Sequence, residues 1–262
     1  MTPIRLGAVG YLNARPLTWA LDRSPERWHV RYDVPSACAA LLHAGDIDLG
    51  LIPSIEYLQS PDYRFVPGVG IGSRGPVASV ALFTGVPVES IRRVALDTSS
   101  RTSVALVKVL ARHRFAIEPA FLHHAPDLAA MMRQCEAALL IGDPAFAADH
   151  ATLGVRKIDL GAEWTAMTGL PFIYAAWTGR PGAVGTEDVR ALQEAQEEGI
   201  QARLDIAAEY GRGDAATTAR AADYLRDNVR YGLGPEEAAG LQLFLDYAAD
   251  LGIGPKRRLE FY

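Results

Sequence analysis

The segment RVALDTSSRTSVALVKVLAR at residues 93–112 carries the pattern that decides the fold class. A short apolar run at 93–96 predicts a strand, and the stretch at 102–112, with apolar residues three or four positions apart, predicts a helix. A turn rich in hydroxyl side chains separates the two. A strand that leads through a short turn into an amphipathic helix is half of a βαβ unit, so this segment predicts an α/β fold with parallel strands.

The same alternation of strands and helices extends over most of the chain. Further strands of this kind are predicted at residues 5–9, 30–34, 49–52, 120–123 and 137–141. Two continuous apolar runs, VASVALFT at 77–84 and FIYAAWT at 172–178, predict strands on which the chain passes between two units. From residue 187 onward the apolar spacing is helical, which is typical of amphipathic helices packed on a lobe.

The length of the chain predicts two lobes. With 262 residues, the chain can form two hydrophobic cores of roughly 100 residues each. We expect residues 1–85 and 178–262 to form one lobe and residues 86–177 the other, with two crossings that act as hinges. Ligands of open α/β sheets bind beyond the carboxyl ends of the strands, so we expect the chemistry in the cleft between the lobes.

Composition and charge exclude several classes of partner. Apolar residues make up 49% of the chain and charged residues 22%, as in ordinary folded proteins. The net charge of -5 argues against a nucleic acid or an anionic membrane as partner, because both require a clustered basic face. The basic run Lys256-Arg257-Arg258 is therefore interpreted as a solvated tail. The sequence does not predict the oligomeric state.

The N-terminal segment predicts a cytoplasmic protein. MTPIRLGAVGYLNARPL contains neither the apolar stretch nor the cleavage site of a signal peptide. No stretch reaches the roughly 20 apolar residues needed to cross a bilayer. Cys38 and Cys135 lie in helix-like apolar surroundings, so we expect free, partly buried thiols.

No cofactor or metal ion is expected. The chain has no Walker loop, no HExxH motif and no GxSxG elbow. GVGIG at 68–72 resembles a dinucleotide loop only superficially, because no helix is predicted after it. His123 and His124 are adjacent on a predicted strand and point to opposite faces, so they cannot bind one metal ion together.

Polar side chains follow the ends of several predicted strands. Asn13, after the first strand, offers both donors and acceptors, and Ser54 follows the third strand; each could instead be a simple helix cap. Gly142 and Asp143 follow the strand at 137–141 in the same way. Asp143 is either the cap of the next helix or a ligand contact.

The turn DTSSRTS at 97–103 is the strongest predictor of a ligand site. The hydroxyls of Thr98, Ser99 and Thr102 lie at the start of a predicted helix, where free amides and the helix dipole favour a carboxylate or phosphate. Arg101 adds a group that can bind a carboxylate through two hydrogen bonds. Because a helix cap needs only one hydroxyl, anion binding is favoured over capping alone.

Six segments together resemble one known family. They are GYLNARPL at 10–17, HAGDIDLGLIPSIEY at 43–57, SRGPVASVALF at 73–83, LDTSSRTSVAL at 96–106, ALLIGDPAF at 138–146 and DLGAEWTAMTGLPFIYAAW at 159–177. They resemble the MqnA family, the chorismate dehydratases of the futalosine route to menaquinone. A sister family that makes 1,4-dihydroxy-6-naphthoate opens with a loop rich in Ser, Pro, Cys and Asn, which this chain lacks.

The resemblance implies a fold, a reaction and two catalytic residues. The fold is the two-lobed type II periplasmic-binding-protein-like fold, and the reaction is loss of water from chorismate to give 3-[(1-carboxyvinyl)oxy]benzoate. Asn13 and Ser79 match the polar residues that the family places beside the reacting ring. The resemblance thus implies that one assists the hydroxyl leaving group and the other orients the substrate.

Two questions stay open at the level of sequence. Asp143 is the only acid expected to face the cleft, so the base is either this residue or, as we hypothesise, the enolpyruvyl carboxylate of the substrate itself. The alternative function is a non-catalytic solute-binding protein for a small carboxylic acid, because the scaffold is shared between binding proteins and enzymes. The expected lack of a signal peptide favours the enzyme.

Overall fold

The strands form two mixed β-sheets in a computed structural model that describes residues 3–262. The strands are β1 Ile4–Val9, β2 Trp28–Asp33, β3 Leu49–Pro53, β4 Arg64–Ser73, β5 Val80–Thr84, β6 Arg93–Asp97, β7 Ala120–His124, β8 Ala137–Ile141, β9 Arg156–Asp159, β10 Phe172–Gly179 and β11 Arg230–Tyr231. The first sheet has the order β11-β4-β10-β3-β1-β2, and the second has the order β7-β6-β8-β5-β9.

Helices cover the sheets and occupy most of the C-terminal part of the chain. They are α1 Arg15–Thr18, α2 Pro35–Ala44, α3 Thr102–His113, α4 Leu128–Gln134, α5 Gly142–Ala147, α6 Leu160–Thr168, α7 Thr186–Gln201, α8 Arg203–Gly211, α9 Ala215–Asp223 and α10 Pro235–Asp250. Short 3-10 helices lie at Leu12–Ala14, Leu21–Arg23, Ser54–Gln59 and Val88–Ser90, and a π-helical turn lies at Tyr224–Asn228.

The strand pairing confirms the predicted α/β class. β1 pairs in parallel with β2 and β3, and β6 pairs in parallel with β7 and β8. The two continuous apolar runs form β5 and β10, which are antiparallel to their neighbours. Because both faces of these strands are covered by protein, they carry no polar alternation.

The chain crosses between the sheets earlier than the boundaries at 85 and 178 predict. β5 pairs with β8 and β9, so residues 80–84 belong to the second sheet. β10 pairs with β3 and β4, so residues 172–177 belong to the first sheet. The predicted boundaries assign β5 to the first lobe and β10 to the second. In the structure β5 pairs in the second sheet and β10 in the first. The crossings therefore lie between β4 and β5 and between α6 and β10.

An aromatic cluster fixes the second crossing. Trp164 on α6 contacts Phe172 of β10 with ring centroids 5.2 Å apart, and Phe244 of α10 with centroids 6.1 Å apart. The Trp164 indole N–H also donates to the carbonyl of Pro171 at 3.1 Å. Edge-to-face rings with a satisfied indole N–H stabilise this packing, so the crossing before β10 is anchored to both lobes.

The two cysteines do not form a disulfide in the described residues. Cys38 and Cys135 are free and buried, which confirms the prediction for both. Burial raises the pKa of the Cys38 thiol to about 12, so it stays protonated at neutral pH.

None of the helices within residues 3–262 combines the length and the apolar character that crossing a bilayer requires.

The prediction of a solvated basic tail is wrong for Arg257. Its guanidinium donates to the carbonyls of Tyr57 at 3.0 Å, Tyr63 at 2.6 Å and Ser60, and its side chain is only 12% exposed. It also lies 3.8 Å from the centroid of the Tyr57 ring. A single cation thus satisfies carbonyls at and just beyond the end of the 3-10 helix Ser54–Gln59.

We expect Arg257→Met to lower the free energy of unfolding by about 2–3 kcal/mol, because it leaves these carbonyls without a donor. Urea denaturation measures this change. Lys256→Met is the matched control: Lys256 is 69% exposed and lies 3.7 Å from Asp250, so its loss should change stability by less than about 0.5 kcal/mol. Equal stability of both variants would show that Arg257 is dispensable.

Candidate active site

A narrow cavity lies between the two sheets, next to the carboxyl ends of β1, β3 and β8. The space open to the centre of a water molecule is about 50 Å³, so the cavity is narrow in this arrangement of the lobes. Its lining residues are Val9, Tyr11, Asn13, Pro35, Pro53, Ile71, Val80, Ser100, Thr102, Ser103, Ile141, Gly142, Tyr174 and Ala175. These residues come from both lobes, and the walls are mainly apolar with a few polar groups, as in typical sites for small molecules.

Asn13 lies in the wall of this cavity. It is on the 3-10 helix Leu12–Ala14 directly after β1, and its backbone carbonyl accepts a hydrogen bond from the Tyr231 hydroxyl at 2.9 Å. No protein group within residues 3–262 hydrogen-bonds to its carboxamide. Because a carboxamide offers two donors and an acceptor oxygen, the Asn13 side chain can hydrogen-bond to a ligand in this cavity.

One face of the hydroxyl-rich turn between β6 and α3 also lines the cavity. Ser100, Thr102 and Ser103 all border it. The Ser100 hydroxyl accepts a hydrogen bond from the Ser103 N–H at 3.2 Å and caps α3. Thr102, which the sequence predicts as a substrate contact, thus lines the cavity. Ser100 and Ser103 are cavity residues that the sequence does not single out from the rest of the turn.

The other predicted residues of the turn do not line the cavity. Thr98 and Arg101 border a separate depression, where the Arg101 guanidinium lies 3.2 Å from the buried carboxylate of Glu56. Ser99 donates its N–H and its hydroxyl to the Asp97 carboxylate, at 2.8 and 2.6 Å. The structure thus does not bring Thr98, Ser99 or Arg101 to the cavity wall, because successive residues of a tight turn project in different directions.

Ser54 lies where the lobes touch rather than in the cavity. Its hydroxyl donates to the carbonyl of Ile173 at 2.7 Å and lies 3.4 Å from the Thr102 hydroxyl. The Thr102 hydroxyl oxygen in turn accepts a hydrogen bond from the Ile55 N–H at 3.2 Å. Side chains of α3 and the 3-10 helix Ser54–Gln59 therefore join the two lobes here, and the Ser54 proton is committed to the protein.

Ser79 is buried directly beside the cavity. It is 1% exposed, its hydroxyl oxygen accepts a hydrogen bond from the Tyr224 hydroxyl at 2.7 Å, and its carbonyl accepts one from the Gly142 N–H at 2.8 Å. Ser79 itself does not line the cavity, but its neighbours Val80 and Gly142 do. The structure therefore places Ser79 directly behind the cavity wall, whereas Asn13 is part of that wall.

Residues 11 and 12 of the first lobe contact residues 142 and 143 of the second. A Cβ at Gly142 would lie 2.6 Å from the ring of Tyr11, and Gly142 has a φ of +61°. The Leu12 N–H donates to the Asp143 carboxylate at 3.0 Å. Asp143 is thus a cap, but for the 3-10 helix Leu12–Ala14 of the opposite lobe. These contacts close one side of the cavity.

Burial raises the pKa of two carboxyl groups near the cavity. The pKa of Asp97 is raised by burial, and hydrogen bonds from Ser99 oppose this shift. The pKa of Asp143 is raised by burial as well, and the Leu12 N–H opposes the shift by stabilising the anion. Neither side chain lines the cavity. Each carboxylate accepts hydrogen bonds from protein groups instead, Asp97 from Ser99 and Asp143 from the Leu12 N–H.

A wider depression on the surface of the first lobe is a weaker candidate. It lies beside α1 and includes Arg15, Arg23 and Glu209. Arg15 pairs with Glu209 at 2.6 Å, and Arg23 pairs with Glu198 at 2.7 Å. Because both guanidinium groups already have protein partners, this depression offers a ligand less than the cavity between the lobes.

Comparison with known proteins identifies the family. The family model described as menaquinone biosynthesis matches residues 4–250. The chain belongs to the menaquinone biosynthesis family. It is 32% identical over 267 residues to the chorismate dehydratase of Thermus thermophilus, with 94% of this chain and 95% of that protein covered. These matches confirm the MqnA resemblance noted in the sequence.

Solved structures show the same fold as this menaquinone biosynthesis family member. A protein from Archaeoglobus fulgidus superposes with a TM-score of 0.76 at 18% identity, covering 96% of this chain and 98% of that one. The periplasmic aliphatic sulphonate binding protein SsuA from Escherichia coli superposes with a TM-score of 0.67 at 21% identity, covering 98% and 90%. At these identities the likeness concerns the fold alone, and it confirms the predicted two-lobed class.

Two tyrosines of the cavity in this menaquinone biosynthesis family member are absent from the sequence-based prediction. Tyr11 and Tyr174 both line the cavity. Tyr11 could have been found, because it lies between Gly10 and Asn13 in the loop that follows β1. Tyr174 gives no such signal, since it is one of many apolar or aromatic residues in a strand buried on both faces.

Within residues 3–262 no cluster of His, Cys, Asp and Glu is arranged to hold a metal ion.

Proposed function

We propose that this protein is a chorismate dehydratase, a carbon–oxygen lyase that eliminates water from chorismate to give 3-[(1-carboxyvinyl)oxy]benzoate. The observation that carries the proposal is the near full-length similarity to the chorismate dehydratase of Thermus thermophilus. The position of the unpaired Asn13 carboxamide in a cavity between the lobes supports it. The product is aromatic, so the reaction is strongly downhill, and the protein needs mainly to orient the substrate for 1,2-elimination.

The cavity suits an anionic ring through hydrogen bonds rather than ion pairs. No arginine or lysine is among its lining residues in the described part of the chain. Carboxylates would instead be held by the hydroxyls of Ser100, Thr102 and Ser103 and by the amide-rich start of α3. The polar side chains of the cavity would therefore act on the substrate through hydrogen bonds, including bonds to the ring hydroxyl.

In the proposed reaction the bond between the ring carbon and the hydroxyl oxygen breaks while the neighbouring C–H bond supplies the electrons of the new double bond. The Asn13 carboxamide donates to the departing hydroxyl, and Ser79 orients the substrate. The enolpyruvyl carboxylate of the substrate accepts the ring proton, which leaves with the hydroxyl as water. A protein base is not required in this scheme, because the substrate carboxylate takes the ring proton. The Asp143 carboxylate, which accepts the Leu12 N–H, is not among the residues that line the cavity.

The proposal is tested by mixing the purified protein with chorismate and following the ultraviolet spectrum. We expect the absorbance of the cyclohexadiene to give way to that of a substituted benzoate, with mass spectrometry showing loss of one water. Binding of chorismate without conversion would contradict the proposal and would indicate a non-catalytic solute-binding protein.

Asp143→Asn is expected to keep kcat for chorismate within about tenfold of the unmodified protein, because an amide oxygen can accept the Leu12 N–H as the carboxylate does. Asp143→Ala should raise KM instead, since it removes a contact between the lobes. Steady-state kinetics of both variants measure these effects. Loss of turnover in Asp143→Asn with unchanged chorismate binding would make Asp143 the base.

A further inference from the structure

The only described partner of the Tyr224 hydroxyl is Ser79. Tyr224 is 3% exposed, and its hydroxyl donates to the Ser79 hydroxyl oxygen at 2.7 Å. Burial raises the pKa of Tyr224 above its ordinary value, so the phenol remains a donor at neutral pH. The ring packs against Phe146 with centroids 4.6 Å apart. A phenylalanine at this position would therefore fill the same space without the hydroxyl.

The segment that carries Ser79 is held in an unusual backbone conformation. Ala78 has a φ of +64°, a region that residues other than glycine rarely occupy. The N–H groups of Val77 and Ala78 donate to the Asp159 carboxylate, at 3.0 and 2.6 Å, and the Lys157 ammonium donates to the Ala78 carbonyl at 2.6 Å. These hydrogen bonds come from the second lobe and hold the backbone directly before Ser79, but none of them involves the Ser79 side chain.

The first lobe supplies the remaining constraints. The π-helical turn Tyr224–Asn228 contacts the segment twice, because Asn228 donates its amide to the Pro76 carbonyl at 3.1 Å while Tyr224 donates to Ser79. The turn leads into β11, which pairs with β4 of the first sheet. One widened helical turn of one lobe thus contacts both ends of a four-residue segment that starts the second lobe. Such π-helical turns are frequent at functional sites.

We propose that Tyr224 is a positioning residue that sets the hydroxyl of Ser79 for its role in the reaction. A hydroxyl that accepts a hydrogen bond from a permanent donor must direct its own proton elsewhere. Within the described residues no protein acceptor takes the Ser79 proton, so the hydrogen bond from Tyr224 leaves that proton for a substrate oxygen that reaches Ser79 beside Val80 and Gly142. This inference rests on the proposed dehydratase function, in which the substrate offers carboxylate, ether and hydroxyl oxygens.

The consequence is that Tyr224 acts only through Ser79. Tyr224→Phe should lower kcat for chorismate about tenfold, the effect of one misdirected hydrogen bond, with KM changed less than about threefold. In a Ser79→Ala background, where there is no hydroxyl to orient, Tyr224→Phe should lower kcat no further. A double-mutant cycle over the four proteins measures this dependence, and a merely structural effect of Tyr224 would not depend on Ser79.

Tyr57→Phe is the matched control. It also removes the hydroxyl of a buried tyrosine. This hydroxyl donates to the Arg258 carbonyl at 2.8 Å and accepts from the Glu260 N–H at 2.9 Å, and Tyr57 is not among the residues that line the cavity. We expect a comparable decrease in Tm with unchanged kcat. If Tyr224→Phe lowers kcat equally with and without Ser79, or leaves kcat unchanged, the positioning role is refuted while the dehydratase function stands. Unmodified protein without turnover refutes the proposed function itself, and with it this inference.

Discussion

Asn13→Ala is expected to lower kcat for chorismate dehydration by about 100- to 1000-fold, the range seen when one preorganised donor to a developing negative charge is removed. The expected loss is this large because Asn13 has the unpaired carboxamide of the cavity wall and no described protein partner for it. Its contribution to the fold is its backbone carbonyl, which accepts the Tyr231 hydroxyl and is kept in the variant. Stopped-flow or steady-state absorbance with chorismate measures the rate, and thermal unfolding checks the fold.

Gln193→Ala provides the matched control for loss of a carboxamide. The Gln193 side chain donates to the Pro67 carbonyl at 2.8 Å and is outside the cavity, so its removal should affect stability slightly and kcat not at all. A near-normal kcat in Asn13→Ala would remove Asn13 from the reaction. It would then leave the hydroxyls of the turn before α3 as the polar groups of the site.

The sequence predicts the elements around this site well, because their signals are local. The segment at 93–112 predicts a strand at 93–96 and a helix at 102–112, and the structure has Arg93–Asp97 and Thr102–His113. Apolar periodicity and a hydroxyl at the helix start depend only on residues a few positions apart. The same holds for Asn13, whose place after β1 predicts its position in the cleft.

The partners of the site residues depend on packing between lobes, which no local pattern contains. Arg101 pairs with Glu56, 45 positions away, and Asp143 caps the helix of Leu12, 131 positions away. A sequence motif therefore predicts an arginine or an aspartate at a cleft but not whether a protein group already binds it. The strands β5 and β10 illustrate the same limit, because their apolar runs predict strands without predicting the sheet in which each one pairs.

Gly142→Ala is expected to lower kcat/KM for chorismate about 100-fold, since a displacement of catalytic groups by about 1 Å has an effect of this size. The added Cβ would lie 2.6 Å from the Tyr11 ring, and the φ of +61° is unfavourable for alanine. The Tyr11 ring must therefore move away from Gly142, and the lobes cannot meet as they do here. Steady-state kinetics measure the loss, and small-angle X-ray scattering should show a larger radius of gyration.

Gly10→Ala separates this steric effect from a general effect of replacing a glycine near the cavity. A Cβ at Gly10 would meet no atom within 4 Å, so this variant should keep kcat/KM within about twofold and scatter like the unmodified protein. If Gly142→Ala retains full activity, the contact between Tyr11 and Gly142 does not limit closure of the lobes. If it loses activity without any change in scattering, the defect lies in the local alignment of the cavity wall, which includes the Tyr11 ring and the Gly142 N–H bond to the Ser79 carbonyl. The two measurements together thus distinguish closure of the cavity from the alignment of Ser79.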